Sequence, residues 1–100
     1  MNDITELVDK LLSSISAKDV KLSIAYVQEF KSKIATDSNY IGWITTPANL
    51  TLVQTALTTH LGIPHKALMI RVRPGCSRGL RASLFLQAME NSLNRLQEVR

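Results

Sequence analysis

The chain has 100 residues, of which 45% are hydrophobic and 20% charged, with a formal net charge of +4. This is the composition of one folded domain over residues 1–100. It excludes a disordered or low-complexity chain and, because Cys76 is the lone cysteine, a disulfide-stapled miniprotein. A membrane span is excluded as well, since the longest charge-free stretch, 41–64, is interrupted by Pro47, Asn49, Gln54, His60 and several threonines.

In chain order, Ile4, Leu7, Val8, Leu11, Leu12 and Ile15 recur at the three- and four-residue spacing of a first helix. Ser16 is the candidate N-cap of a second helix over 17–35. That helix carries two apolar stripes, Val20, Ile24, Val27 and Ile34 beside Leu22, Tyr26 and Phe30, which predicts packing against two neighbours. Asp37-Ser38-Asn39 reads as a turn, and the apolar run Tyr40 to Thr45 as a short strand. The third helix is the best punctuated. Thr46 is its candidate N-cap, Pro47 sits at N1, Leu50, Val53, Leu57 and Leu61 form its stripe, and Gly62 and Pro64 end it. Lys66 to Arg73 alternates, with Leu68, Ile70 and Val72 on one side and Met69, Arg71 and Arg73 on the other, as a second strand does. Pro74-Gly75 ends it. Ser77 is the candidate N-cap of a last helix over 78–99, with Ala82, Phe85, Leu86, Met89, Leu93 and Leu96 as its stripe.

The expected fold is therefore helix-rich α+β in the order α-α-β-α-β-α. Strand, helix and strand make a right-handed βαβ unit, whose small two-stranded parallel sheet the helices must cover. The alternative is an all-α domain. Burial is thin at this length, so a homodimer sharing apolar surface is a further expectation. The lone cysteine fits a reducing, cytoplasmic location, and Met1 to Glu6 lacks the basic and apolar regions of a signal peptide.

Charge is unevenly placed. Residues 1–40 carry five lysines against six carboxylates, 41–64 carry no Asp, Glu, Lys or Arg, and 65–100 carry one lysine and six arginines against Glu90 and Glu98, a net of +5. Arginine's planar fork suits phosphate and carboxylate, so a basic, arginine-rich third points to an anionic partner. The candidate contact is the segment 71–81. Arg71, Arg73, Arg78 and Arg81 surround Gly75, Ser77 and Gly79 at a helix start, where backbone N–H groups favour anions. Positive side chains there oppose the helix dipole, which also speaks for a bound anion. With parallel strands, Thr46 shares that edge of the sheet, and Lys66 and Arg95 stand at the margin.

The first functional expectation is a small non-enzymatic accessory protein that binds a nucleic-acid phosphate backbone through 71–81. Base stacking is not expected, since Tyr26, Phe30, Tyr40, Trp43 and Phe85 are all taken by core or strand positions. The alternative is a protein-binding module: an adaptor, inhibitor or assembly subunit with an acidic partner. Its interface would add the uncharged face of helix 47–61, with Thr51, Gln54, Thr55, Thr58 and Thr59, because interface cores are depleted in charge.

No catalytic residue, metal site or cofactor is expected. Four residues separate Cys76 from Arg81, one fewer than in the phosphate cradle of cysteine phosphatases, and no histidine precedes the cysteine. His60 and His65 are separated by Gly62 and Pro64, which breaks any shared helix face. Glu90 and Glu98 read as solvated.

Overall fold

Helical periodicity governs the chain throughout. The computed structural model describes residues 3–98 and contains, among them, α1 (Asp3–Ser16), α2 (Val20–Ile34), α3 (Ser38–Thr45), α4 (Pro47–Leu61), a 3-10 turn (His65–Leu68) and α5 (Arg78–Glu98). No strand occurs among the described residues, so the α+β expectation is overturned and the all-α alternative holds. Val99, placed at the end of the last helix by its sequence, lies outside the described residues.

Both predicted strands fail for one linked reason. Tyr40 to Thr45 forms the body of α3. Asp37, in extended conformation, caps it by accepting a hydrogen bond from the Asn39 N–H at 2.9 Å. Tyr40 and Ile44, one helical turn apart, are both buried. The Phe30 ring of α2 meets the Tyr40 ring edge-on at 5.2 Å and lies 6.1 Å from the Trp43 ring. Once 40–45 is helical, Lys66 to Arg73 has no neighbour to share a ladder with, and a lone strand leaves its backbone groups unpaired. The segment instead makes the 3-10 turn, buries Leu68 and continues as irregular chain, with Val72 exposed rather than turned inward beside Leu68.

The helix ends follow local chemistry. Gly62 takes the left-handed conformation, φ 68°, and its N–H and that of Ile63 bond back to Thr58 and Leu57, closing α4. Ile63 is buried beneath that turn. Ser77 caps α5, its hydroxyl accepting from the Leu80 N–H at 3.1 Å. Between α1 and α2 the cap is Asp19, not Ser16, which is the last residue of α1. Asp19 accepts from the Leu22 N–H at 3.1 Å. The preceding turn places Lys18 at φ 61°, with the Lys18 and Asp19 N–H groups bonded to Ile15 and Ser14 carbonyls.

α2 and α5 pack side by side at the centre. α1 lies on α2, α3 crosses both α2 and α5, and α4 closes over α1 and α3, while the 3-10 turn bridges α4 to α5. The core draws on every helix, including Leu11, Ile15, Val27, Phe30, Ile44, Val53, Leu57, Leu86, Met89 and Leu93. α1 and α2 approach closely through Ser14 and Ser23, whose buried hydroxyls are 2.9 Å apart. Glu90, expected to be solvated, instead joins α5 to α2. Lys31 donates to it at 2.8 Å and Gln28 at 3.1 Å, and these two bonds hold its carboxyl below the ordinary value of 4.5 despite partial burial.

Candidate functional site: the basic loop at the start of α5

The irregular chain from Met69 to Ser77 lies beside the first turns of α5. Its sharpest bend is the turn Arg73-Pro74-Gly75-Cys76, closed by the Cys76 N–H on the Arg73 carbonyl at 3.0 Å. Proline presets the first corner, and the second needs a positive φ, which Gly75 supplies at 85°. That bend holds the loop off the helix and leaves a groove of about 370 Å³ between them. Arg71, Arg73, Pro74, Gly75, Cys76, Leu80 and Leu84 line it.

The four arginines are not equivalent. Arg71 and Arg73 are exposed, and their guanidinium groups make no hydrogen bond or ion pair among the described residues. Arg78 is engaged within the fold. Its Nε and Nη2 donate to the Thr45 hydroxyl at 3.3 and 3.1 Å, and that hydroxyl donates onward to the Ile41 carbonyl at 2.7 Å. Arg78 thus lies against the carboxyl end of α3, where helix carbonyls favour a cation. This explains a positive residue at the start of α5 without any bound anion. Arg81 is half-buried, and its Nε is enclosed without a hydrogen-bond partner among the described residues.

The approach expected at Thr46 is made instead by Thr45, the last residue of α3, which meets Arg78 at the start of α5 without a sheet. Thr46 occupies the N-cap position of α4, yet its hydroxyl donates back to the Gly42 carbonyl at 2.7 Å. Gly42 and Gly79 stand where α3 meets α5, with room for a methyl group: one at Gly79 would lie 3.7 Å from Ile41, and one at Gly42 would lie 4.0 Å from Arg78, both ordinary contact distances. Lys66 is exposed on the 3-10 turn and does not line the groove. Arg95 is 14 residues beyond Arg81 on α5, about 21 Å along the axis. Arg95 lines a separate cleft of about 160 Å³ with Gly62, Pro64 and Ser92.

The uncharged face of α4 is reduced to Thr51, Thr55, Thr58 and Thr59, all exposed, together with Leu52. Gln54 is turned inward instead, 8% exposed, with its Nε2 donating to the Leu68 carbonyl at 3.4 Å.

A feature not extracted from the sequence is the company the arginines keep. Six large apolar residues are exposed among the described residues, and four fall within this segment: Met69 at 63%, Leu80 at 53%, Val72 at 38% and Leu84 at 36%. Leu80 and Leu84 stand four apart, on the face of α5 away from Ala82, Leu86 and Met89. That off-register pair was the available signal. The surrounding chain also lacks any carboxylate from Ser38 to Met89. The groove therefore combines guanidinium groups, exposed apolar side chains and no competing negative charge.

Chemistry requiring a base or a metal finds little here. The groove lining includes no His, Asp or Glu beside Cys76, and no group of three or more metal-ligating side chains occurs among the described residues. No helix among them is long and apolar enough to cross a membrane. A larger groove, about 470 Å³, lies where the α1–α2 turn meets the end of α5, but it mixes Lys18 and Lys21 with Asp19. Comparison with known proteins finds no matching family model, no matching curated protein and no matching solved structure.

Proposed function

We propose that this chain is a non-enzymatic protein-binding module that engages an acidic protein surface through residues 69–84, in a reducing, cytoplasmic setting. The observation that carries this reading is the interleaving of exposed Arg71 and Arg73 with exposed Met69, Val72, Leu80 and Leu84. Arginine and methionine are enriched in protein interfaces, and a guanidinium pairs with a carboxylate through a two-pronged hydrogen bond. A nucleic-acid backbone rewards the arginines but not the leucines. The rings needed to stack on unpaired bases are buried or half-buried in the core: Phe30, Tyr40, Trp43, Tyr26 and Phe85. The lone Cys76 fits a reducing compartment.

Charge reversal tests this. Arg71→Glu/Arg73→Glu should weaken binding of an acidic peptide more than tenfold by fluorescence anisotropy. Arg78→Ala should change that affinity by less than about twofold while lowering stability by about 1 kcal/mol, because its hydrogen bonds face Thr45. Tight binding of duplex RNA or DNA by the wild-type chain, steeply weakened by salt and with no binding of acidic peptide, would return the reading to a phosphate backbone.

A further inference from the structure

We infer that the groove between the Pro74-Gly75 turn and α5 receives an amphipathic acidic helix of a partner protein, seated by apolar anchors and not by charge alone. The inference rests on the acidic-partner reading above and specifies what the partner must carry. Leu80 and Leu84 lie one helical turn apart, about 6 Å along α5. That spacing matches two anchors at positions i and i+4 of a partner helix, the usual way such a helix is held in a groove. The floor between them and the loop is the concave surface lined by Pro74, Gly75 and Cys76. Arg71 and Arg73 stand on the loop side of this floor, placed to meet carboxylates flanking the anchors.

Charge complementarity selects the occupant. No Asp or Glu occurs between Ser38 and Met89, and Glu90, the next carboxylate, is already bonded to Lys31 and Gln28. A basic partner would meet only like charge here. A neutral apolar helix would leave Arg71 and Arg73 desolvated and unpaired, which costs more than the apolar contact returns. An anionic bilayer would satisfy the arginines, but interfacial binding needs a long apolar face with aromatic anchors. Here the exposed apolar pair of α5 spans a single turn and borders a concavity.

Cys76 supplies a reporter, because the only thiol in the chain lines the groove. The experiment uses two synthetic peptides of equal negative charge. One carries leucines at i and i+4 amid Asp and Glu; the other carries serines at those two positions. Binding is followed by anisotropy and by the rate of Cys76 alkylation. The expected result is that the leucine peptide binds at least tenfold more tightly than the serine peptide and slows alkylation at least fivefold at saturation. Leu80→Ser/Leu84→Ser should erase the difference between peptides. Both positions are solvent-exposed, and circular dichroism verifies that the variant is folded. Equal binding of the two peptides would overturn the anchored-helix inference while leaving the acidic-partner reading standing. Binding of neither peptide, with binding of duplex RNA or of phosphatidylserine vesicles, would overturn both. Leucine-peptide binding that leaves Cys76 alkylation unchanged would place the site elsewhere and also overturn the inference.

Discussion

Lys18 holds a conformation that suits glycine. At φ 61° its Cβ crowds the following carbonyl, a cost of about 1–2 kcal/mol, and the turn persists because α1 and α2 are both anchored in the core. Lys18→Gly should therefore stabilise the fold by roughly 1 kcal/mol, a rise in Tm of about 4–8 °C for a domain of this size, read by thermal circular dichroism. A second residue-scale prediction concerns Glu90. Its carboxyl titrates below the ordinary 4.5 because Lys31 and Gln28 bond the charged form. A depressed folded value means the stabilisation is present above the unfolded value and is lost as pH falls through the folded one. Glu90→Gln should cost about 1–2 kcal/mol at neutral pH by urea unfolding. The gap from wild type should close as pH drops through and below the carboxylate range. A gap that stays constant with pH would show that the pair contributes by shape alone.

At the scale of elements, the long helices were legible because their stripes extend over several turns. Leu7, Leu11 and Ile15 in α1, or Leu86, Met89 and Leu93 in α5, leave one periodicity standing. The terminators at Gly62 and Ser77 were equally legible, since each rests on one residue's own chemistry. Tyr40 to Thr45 was not. Six residues rich in aromatic and branched side chains satisfy either period, and what decides between them is the ring of Phe30 and the close approach of α5, neither of which is local. The alternation in 66–73 was genuine but had no partner strand. The exposed Arg71 and Arg73 were found from charge, whereas the burial of Gln54 and the diversion of Arg78 to Thr45 depend on tertiary contacts. The helical assignment of α3 is testable. Asp37→Ala should remove its cap and cost about 1 kcal/mol. Gly42→Ala should gain about 0.5–1 kcal/mol through helix propensity, since the added methyl meets nothing closer than Arg78 at 4.0 Å. Destabilisation by Gly42→Ala would count against a helix there.

Across the whole molecule, charge and apolar exposure are distributed in a way that stability alone does not require. The α1–α2 half mixes lysines with carboxylates, α4 presents an uncharged threonine face, and the loop before α5 together with the first turns of α5 gathers arginines and exposed apolar side chains, Leu80 and Leu84 among them. A surface serving solubility would scatter acids among those arginines and bury or replace the leucines. The groove at 69–84 and the α4 face compete as the interaction surface, and they lie on different elements. Thr55→Glu/Thr58→Glu alters the α4 face without touching the groove, and should leave acidic-peptide affinity within about twofold, given that exposed substitutions rarely act at a distance. Binding at the groove is tested most directly by titrating nitrogen-15-labelled protein with the acidic leucine peptide and following the backbone amide shifts. Seating of the peptide in the groove predicts shift changes concentrated at Met69 to Leu84, largest around Arg71, Arg73 and Cys76, and absent from Thr51 to Thr59. Shifts centred on α4, or spread evenly over every lysine and arginine of the chain, would contradict it.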